Sequence, residues 1–188
     1  ITEFKGIQED EKHIFIGATT TINDLEESEI IRKHFPVFQQ AIDVFACYEI
    51  RNRATIGGNI TRASPAADFS QILLLLDAEA KILSMEGKRK TIKLNEFFLS
   101  PGKTALQKEE VLEGFQIRKN PKFRAVYLRR GRGKGMDLAC VNVGIGMEEA
   151  NPIQNIRITL GAVSPKPIRA IHVEKYLHGK TLSTEHIK

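Results

Sequence analysis

The chain has 188 residues, of which 41% are hydrophobic and 27% charged, and its formal net charge is +5. Such a chain can bury a core, and we expect one or two globular domains rather than a disordered tail. No apolar run approaches the roughly 18 residues that a membrane span requires, and no basic and then apolar leader opens the chain. We therefore expect a cytoplasmic protein without a membrane partner.

The cysteines and histidines indicate neither a metal site nor a disulfide framework. Cys47 and Cys140 lie far apart in the sequence, without a CxxC pattern, and the five histidines are scattered. We predict no metal ligands, and we expect both cysteines to be ordinary core residues.

The first half of the chain alternates short strands and helices. The apolar run HIFIGA (13–18) predicts a strand, and the hydroxyls of TTTINDLEE can cap a helix after it. Pro36 opens a second predicted helix, whose apolar stripe is Phe38, Ala41, Ile42 and Phe45.

The stretch EIRNRATIGGNITRASPAADF (49–69) is the least ordinary part of the sequence. Its first eight residues alternate, which predicts an extended segment that turns sharply at Gly57 and Gly58. Ser64 is then placed to cap a helix with Pro65 at its first position and Asp68 inside its first turn. A bare backbone next to a helix start is a favourable place to hold a phosphate.

The second half is rich in strands. AKILSMEGKRKTIKL predicts a hairpin around Glu86 and Gly87, and further strands are predicted at VLEGFQI, LACVNVGIGM and IRITLGAV. VEKYLHGK predicts a helix that ends before Gly179. The class is α+β, and the polar link 119–122 predicts a boundary between domains at residues 1–119 and 120–188.

A basic block runs from Arg118 to Lys134 with eight Lys or Arg and no acidic residue. Clustered cations can bind nucleic acid by releasing counterions from phosphates. The same block also fits a solvated strand or a docking surface for an acidic partner. With one interleaved aromatic, Tyr127, and no nucleic-acid motif, the sequence favours the latter two, and we predict no nucleic-acid partner.

The common catalytic and nucleotide-binding motifs are missing from the sequence. It contains no GxGxxG after a strand, no GxxxxGK[ST], no HExxH and no GxSxG. We therefore predict no catalytic residue, and any redox chemistry would belong to a bound cofactor that the protein positions.

The segment EIRNRATIGGNITRASPAADFSQILLLLDA (49–78) resembles the flavin-binding signature of the FAD-binding medium subunit of the molybdenum hydroxylases. This family includes xanthine dehydrogenase, aldehyde oxidase and aerobic carbon monoxide dehydrogenase. The similarity continues through IGATTT before that segment, and through FFLSPGKTALQKEEVLEGFQI, MDLACVNVGIGM and ITLGAVSPKPIRA after it. Nearly the whole chain is covered in family order.

The resemblance implies a set of FAD-binding residues. The positions that match the family turn against the pyrophosphate and ribose are Thr55, Gly57, Gly58 and Asn59, and Asp68 matches an aspartate that fixes the polar part of FAD. Phe45, Ala46 and Leu112 match residues that pack on the cofactor. Phe45 and Leu112 are equally compatible with plain core positions, and Ser64 combines a capping role with a cofactor contact.

The resemblance also implies a fold and a setting. The fold is the second subdomain of an FAD-binding domain of the PCMH/vanillyl-alcohol-oxidase type, followed by a truncated α+β C-terminal flavoprotein domain. The family's first subdomain, which covers the other side of the pyrophosphate, has no counterpart in this sequence. The family's usual basic residue in the third segment falls near Leu128, where Arg129 is a possible substitute.

The implied function is electron transfer within a larger enzyme. The partners would be a molybdopterin-containing large subunit and a 2Fe-2S small subunit, and FAD would pass electrons to NAD⁺, oxygen or a quinone. Two alternatives stay open at this point. The chain could be another FAD-dependent oxidoreductase of the same fold, or a cofactor-free basic domain that binds nucleic acid or protein.

Overall fold

The computed structural model describes residues 2–133 and 137–183. Its strands are β1 (Ile7–Glu9), β2 (His13–Gly17), β3 (Glu79–Ser84), β4 (Arg89–Lys93), β5 (Phe98–Ser100), β6 (Lys103–Thr104), β7 (Glu110–Arg118), β8 (Arg124–Gly131), β9 (Ala139–Met147), β10 (Glu149–Ala150), β11 (Ile153–Gln154), β12 (Arg157–Gly161) and β13 (Ile168–Arg169). Its helices are α1 (Ile22–Glu27), α2 (Glu29–His34), α3 (Val37–Ile42), α4 (Tyr48–Arg51), α5 (Ile56–Thr61), α6 (Asp68–Leu75), α7 (Leu94–Phe97) and α8 (Ile171–Leu177). The predicted α+β class is confirmed.

The first sheet has the order β1-β2-β7-β3-β4 and is antiparallel throughout. Its centre is apolar because β2 and β7 direct alternate side chains inward: Ile14 pairs with Ile117, Ile16 pairs with Phe115, and all four are fully buried. The hairpin predicted around Gly87 is confirmed as the connection between β3 and β4.

The second sheet has the order β13-β12-β9-β8, and α6 packs against it. Every residue of α6 is buried, so the helix serves as a central element between the sheet and the other helices. Close approach depends on Gly144 of β9, where a Cβ would lie 2.6 Å from Thr159 Oγ1 and 3.1 Å from Leu75 Cδ2.

The extended segment predicted for residues 49–56 is wrong. The chain forms α4 and then α5, so Gly57 and Gly58 lie in the first turn of a helix. Thr55 is the N-cap of α5, and its Oγ1 accepts a hydrogen bond from the Gly58 N–H at 3.0 Å. Tertiary contacts decide the outcome, because Asn23 of α1 bonds the Tyr48 carbonyl and the Asn52 side chain and thereby holds α4.

The start of α6 also differs from the prediction. The helix begins at Asp68 with Ala67 as its N-cap, so Ser64 is not a cap, although Asp68 does lie in the first turn. The Pro65 carbonyl accepts from the Ala162 N–H at 2.9 Å, and the Ala66 carbonyl accepts from Asn142 at 3.4 Å. The second sheet therefore draws these carbonyls out of helical geometry and delays the helix.

The remaining predictions have mixed outcomes. A helix does follow Pro36, but α3 ends at Ile42, so Phe45 belongs to the next loop. The expectation that both cysteines are core residues is wrong, because Cys47 is half-buried and Cys140 exposed. Within the described residues, no helix is long and apolar enough to cross a membrane.

We expect the adjacent glycines of α5 to differ sharply in their tolerance of a side chain. Gly57→Ala should lower the free energy of unfolding by about 1–3 kcal/mol, because its Cβ would lie 2.6 Å from the Ala18 carbonyl oxygen. Gly58→Ala is the matched control, since its Cβ would meet only Thr55 Oγ1 at 3.0 Å. Its effect should stay within about 1 kcal/mol. Urea unfolding of both variants measures this, and equal losses would contradict the packing role of Gly57.

Candidate functional site

Two of the predicted cofactor residues, Asp68 and Phe45, meet at the N-terminal end of α6. The loop between α3 and α4 reaches it through Phe45, whose ring packs edge-on against Phe69 with centroids 5.1 Å apart. Helix α5 also packs against α6. β8 reaches it through Tyr127 and Arg129, which both contact Asp68. A loop and a strand thus meet around one buried carboxylate at the start of α6.

The backbone donors at the start of α5 are already used within the protein. The N–H groups of Ile56 and Gly57 donate to the carbonyls of Thr20 at 3.0 Å and Ala18 at 2.9 Å. The Gly58 N–H donates to the Thr55 cap. The notion that free N–H groups of both glycines hold a phosphate is therefore not what the structure shows. Gly57 serves close packing, and Gly58 leaves an exposed helix surface without a side chain.

Asn59 offers an acceptor beside that bare surface. Its Oδ1 is buried and has no hydrogen-bond partner among the described residues. Buried polar atoms are nearly always satisfied, because an unmade hydrogen bond costs the desolvation of the group. A ligand that brings a hydroxyl or N–H donor to the start of α5 would satisfy it.

Asp68 is the electrostatic centre of the site. The residue is only 6% exposed, and its Oδ1 accepts from the Tyr127 hydroxyl at 2.5 Å, while Arg129 Nη1 lies 3.4 Å from Oδ2. Burial raises the pKa of Asp68, against the hydrogen bond from Tyr127 and the charge of Arg129. Burial and the neighbouring carboxylate raise the pKa of Tyr127 well above its ordinary value, so Tyr127 is a permanent donor.

Arg129 joins this carboxylate to the loop between α3 and α4. Its Nη1 donates to the Val44 carbonyl at 2.8 Å, and its Nη2 donates to the Asp137 carbonyl. The Tyr127 N–H donates to Gln40 of α3 at 2.6 Å. The only sequence signal for Tyr127 is its place as an interleaved aromatic of the basic block. For Arg129 the signal is its place beside Leu128, where the family has a basic residue.

The other predicted residues divide between site and core. Ala46 lies in the loop between α3 and α4 and has a left-handed backbone, with φ of 47°. Ser64 lies in the turn before α6, where its Oγ accepts from the Ala66 N–H at 3.4 Å. Leu112 of β7 is 7% exposed, pairs with Ile82 and belongs to the main core cluster. Its surroundings are those of a core residue.

A cavity lies at the C-terminal end of α6. It measures about 600 Å³, and its lining includes Asp77, Phe123, Arg157 and Arg169. Two of its arginines are engaged within the protein: Arg157 and Arg169 both pair with Asp77, at 3.5 and 3.1 Å, and Arg157 also lies over the Phe123 ring. The predicted site residues do not line this cavity.

Comparison with known protein families gives two matches. Residues 1–119 match the family described as the FAD binding domain in molybdopterin dehydrogenase. Residues 126–188 match the CO dehydrogenase flavoprotein C-terminal domain.

Individual proteins of known sequence or structure are also similar. The glyceraldehyde dehydrogenase medium chain of Sulfolobus acidocaldarius is 31% identical over 93% of this chain and 62% of its own. The xanthine dehydrogenase FAD-binding subunit of Escherichia coli O157:H7 is 29% identical over 98% of this chain and 64% of its own. A solved structure of carbon monoxide dehydrogenase from Hydrogenophaga pseudoflava superposes with a TM-score of 0.94 and 30% identity, over 100% of this chain and 65% of that one. The chain thus spans less than two thirds of the length of these relatives.

We expect Tyr127→Phe to destabilise the protein in a pH-dependent way. When a carboxyl group has a higher pKa in the folded than in the unfolded protein, its protonation favours folding. This contribution to stability is fully present below the pKa of the unfolded state and is lost as the pH rises through the pKa of the folded state. Loss of the Tyr127 hydroxyl raises the pKa of Asp68 further, so the variant is weakest where Asp68 is ionised.

At neutral pH the loss should be about 1–3 kcal/mol, and it should shrink near pH 4, close to the ordinary aspartate pKa of about 3.9. Urea unfolding at the two pH values measures it. Tyr48→Phe, at a 55% exposed tyrosine, is the control. A loss that does not depend on pH would contradict the assigned role of the hydroxyl.

Proposed function

The chain belongs to the family of FAD-binding domains of molybdopterin dehydrogenases, and on that premise we propose that it binds FAD at the N-terminal end of α6 as the flavoprotein component of a molybdenum hydroxylase. When bound, FAD would supply the redox chemistry, taking electrons from iron–sulfur clusters and releasing them to an external acceptor. The observation that carries the proposal is the meeting of the Phe45 loop and β8 around the buried Asp68 carboxylate at the start of α6.

The residues present fit a flavin nucleotide in kind. An isoalloxazine is a flat apolar ring system, and Phe45 is a half-buried aromatic backed by Phe69. A ribityl chain and ribose carry hydroxyl donors, which suit the unsatisfied Oδ1 of Asn59 and the remaining acceptor capacity of Asp68. Because Gly58 has no side chain, a ligand can approach the protein backbone closely at that position.

The protein's own contribution is placement and electrostatics. Tyr127 and Arg129 fix the Asp68 carboxylate in one orientation, so an acceptor is preorganised before the ligand arrives. We assign no acid–base residue, since oxidation of a reduced flavin requires none from the protein. Thr55 acts through its cap, which sets the direction of α5.

The proposed partners are a molybdopterin-containing large subunit and a 2Fe-2S small subunit. Support comes from the resemblance to medium chains and FAD-binding subunits of multi-subunit dehydrogenases. Arg130 and Arg132 are two of the exposed cations of the basic block, whereas the guanidinium of Arg129 is engaged in the site. Lys134, the last residue of the block, lies outside the described residues. Localisation in the cytoplasm stays a prediction.

We expect Gly58→Val to weaken FAD binding while the fold is retained. A branched side chain would occupy the exposed surface where the ligand approaches, and FAD affinity should fall at least about tenfold. The stability cost should not exceed about 1 kcal/mol, the size of a disturbed Thr55 cap. Titration of FAD into the full-length protein, followed by flavin fluorescence, measures the affinity.

The control for that experiment is Lys33→Val, which places the same side chain on an exposed position of α2. If the folded Gly58→Val protein binds FAD with wild-type affinity, the start of α5 is not part of the FAD site. A wild-type protein that takes up no FAD and stays colourless would overturn the proposed function itself.

We expect the double reversal Arg130→Glu with Arg132→Glu to slow assembly with the partner subunits. Opposite charges steer association, so the association rate should fall and its salt dependence should weaken, while FAD content is kept. Reconstitution followed by light scattering measures the rate, with Lys33→Glu and Lys108→Glu as a charge-matched control.

A gel-shift series with oligonucleotides tests the remaining alternative, in which the basic block binds nucleic acid. Nonspecific contacts bind nucleic acid with a Kd of about 10⁻⁴ to 10⁻⁶ M. Tighter binding at physiological salt, abolished by the double reversal, would overturn the docking assignment in favour of a nucleic-acid site.

A further inference from the structure

The loop between α3 and α4 is held through its own carbonyl groups. The Val44 carbonyl accepts from Arg129, at 2.8 Å. The next two carbonyls, of Phe45 and Ala46, both accept from Nη1 of Arg51, at 3.3 and 3.4 Å. Three consecutive loop carbonyls are therefore bound by guanidinium groups from β8 and α4.

The middle of this loop has an unusual backbone. Ala46 has a φ of 47°, in the left-handed region that residues with a Cβ avoid. Such a conformation persists only where the surroundings impose it. The two carbonyls that Arg51 binds flank Ala46, and the φ and ψ of that residue set their relative direction. In this conformation both carbonyls lie within reach of the same nitrogen.

Arg51 is itself fixed from another side. Its Nε donates to Asn23 Oδ1 at 3.2 Å, and its Nη2 pairs with Glu26 Oε2 at 3.3 Å. Both partners belong to α1, and Asn23 is 4% exposed. The N-cap of α1, Thr21, forms a bridge with Thr55. Helix α1 therefore supports both the loop and the start of α5.

We propose that Arg51 is a positioning residue of the FAD site. It sets the Phe45–Ala46 backbone against which the cofactor packs, and so determines FAD affinity and the environment of the flavin ring. It does so without touching FAD, because its Nε and both of its terminal nitrogens bind protein groups. This inference rests on the proposed function for its ligand, but its structural part holds for the FAD-free protein.

The first test measures the loop without any ligand. Amide hydrogen exchange at residues 44–47 is compared in the FAD-free full-length protein, in Arg51→Met and in Arg53→Met. Arg53 is an exposed arginine two positions away and serves as the matched control. Exchange in Arg51→Met should rise at least about tenfold, as expected when local opening is eased. Unchanged exchange would overturn the proposal whether or not the protein binds FAD.

The second test measures FAD binding and the visible circular dichroism of the bound flavin. Arg51→Met should raise the FAD Kd at least about tenfold and change the flavin spectrum. Arg51→Lys keeps the charge but replaces three donor nitrogens by one, so it cannot hold the loop carbonyls, Asn23 and Glu26 together. Its FAD affinity should lie between those of the wild type and of Arg51→Met. If Arg51→Met does not fold, Arg51→Lys alone is measured. Its FAD Kd should then still exceed that of the wild type.

The decisive comparison adds Ala46→Gly to Arg51→Met. Glycine adopts the left-handed conformation without support, so the double variant should bind FAD more tightly than Arg51→Met. A general loss of stability would not be repaired in this way. No rescue, together with an affinity loss that only follows the fraction of unfolded protein, would show Arg51 to be merely structural. If Arg51→Met binds FAD with wild-type affinity, Arg51 is not a positioning residue, although the proposal that the protein binds FAD still stands.

Discussion

The rest of the site depends on one buried carboxylate, that of Asp68. An ionised group at 6% exposure is costly unless it is paired and hydrogen-bonded, and here both conditions are met from β8, by Tyr127 and Arg129. The same Arg129 holds the Val44 carbonyl, and the Tyr127 N–H holds Gln40 of α3. Stabilising this one charge therefore also fixes α3, the following loop and β8 around the start of α6.

The two glycines of α5 show how one motif can serve two purposes. Gly57 allows the helix to lie directly on the chain at Ala18, and its N–H is consumed in that contact. Gly58 faces outward and keeps a surface clear of side chains. The two glycines are therefore not simply phosphate donors. The packing of Gly57 positions α5 and with it Asn59. Close packing of Gly57 is what leaves Gly58 on the exposed side of α5.

The basic block likewise divides by burial. Strand alternation turns Tyr127 and Arg129 toward α6 and leaves Arg130 on the surface. The inward arginine neutralises Asp68 and holds a loop, while Arg130 and Arg132 face solvent. Charge count alone treats these arginines alike, but their energetic roles differ, because a buried ion pair and a solvated cation experience different dielectric surroundings.

Sequence by itself determined the α+β class and the helix that follows Pro36, because hydrophobic period and turn residues are local signals. The same signals determined the strands β2, β3, β4, β7, β9 and β12. The sequence also determined the family, through segments such as ATIGGN whose residue order is specific. Tertiary structure alone decided that the predicted extended segment 49–56 is replaced by α4 and the start of α5, since Asn23 and Asn52 meet across 29 positions. It also decided that α6 starts at Asp68 rather than after Ser64, since Ala162 and Asn142 take the preceding carbonyls. The sequence also did not predict two sets of contacts: those of Asp68 with Tyr127 and Arg129, and those of Arg51 with the Ala46 loop. Hydrogen bonds between distant segments leave no periodic pattern in the sequence.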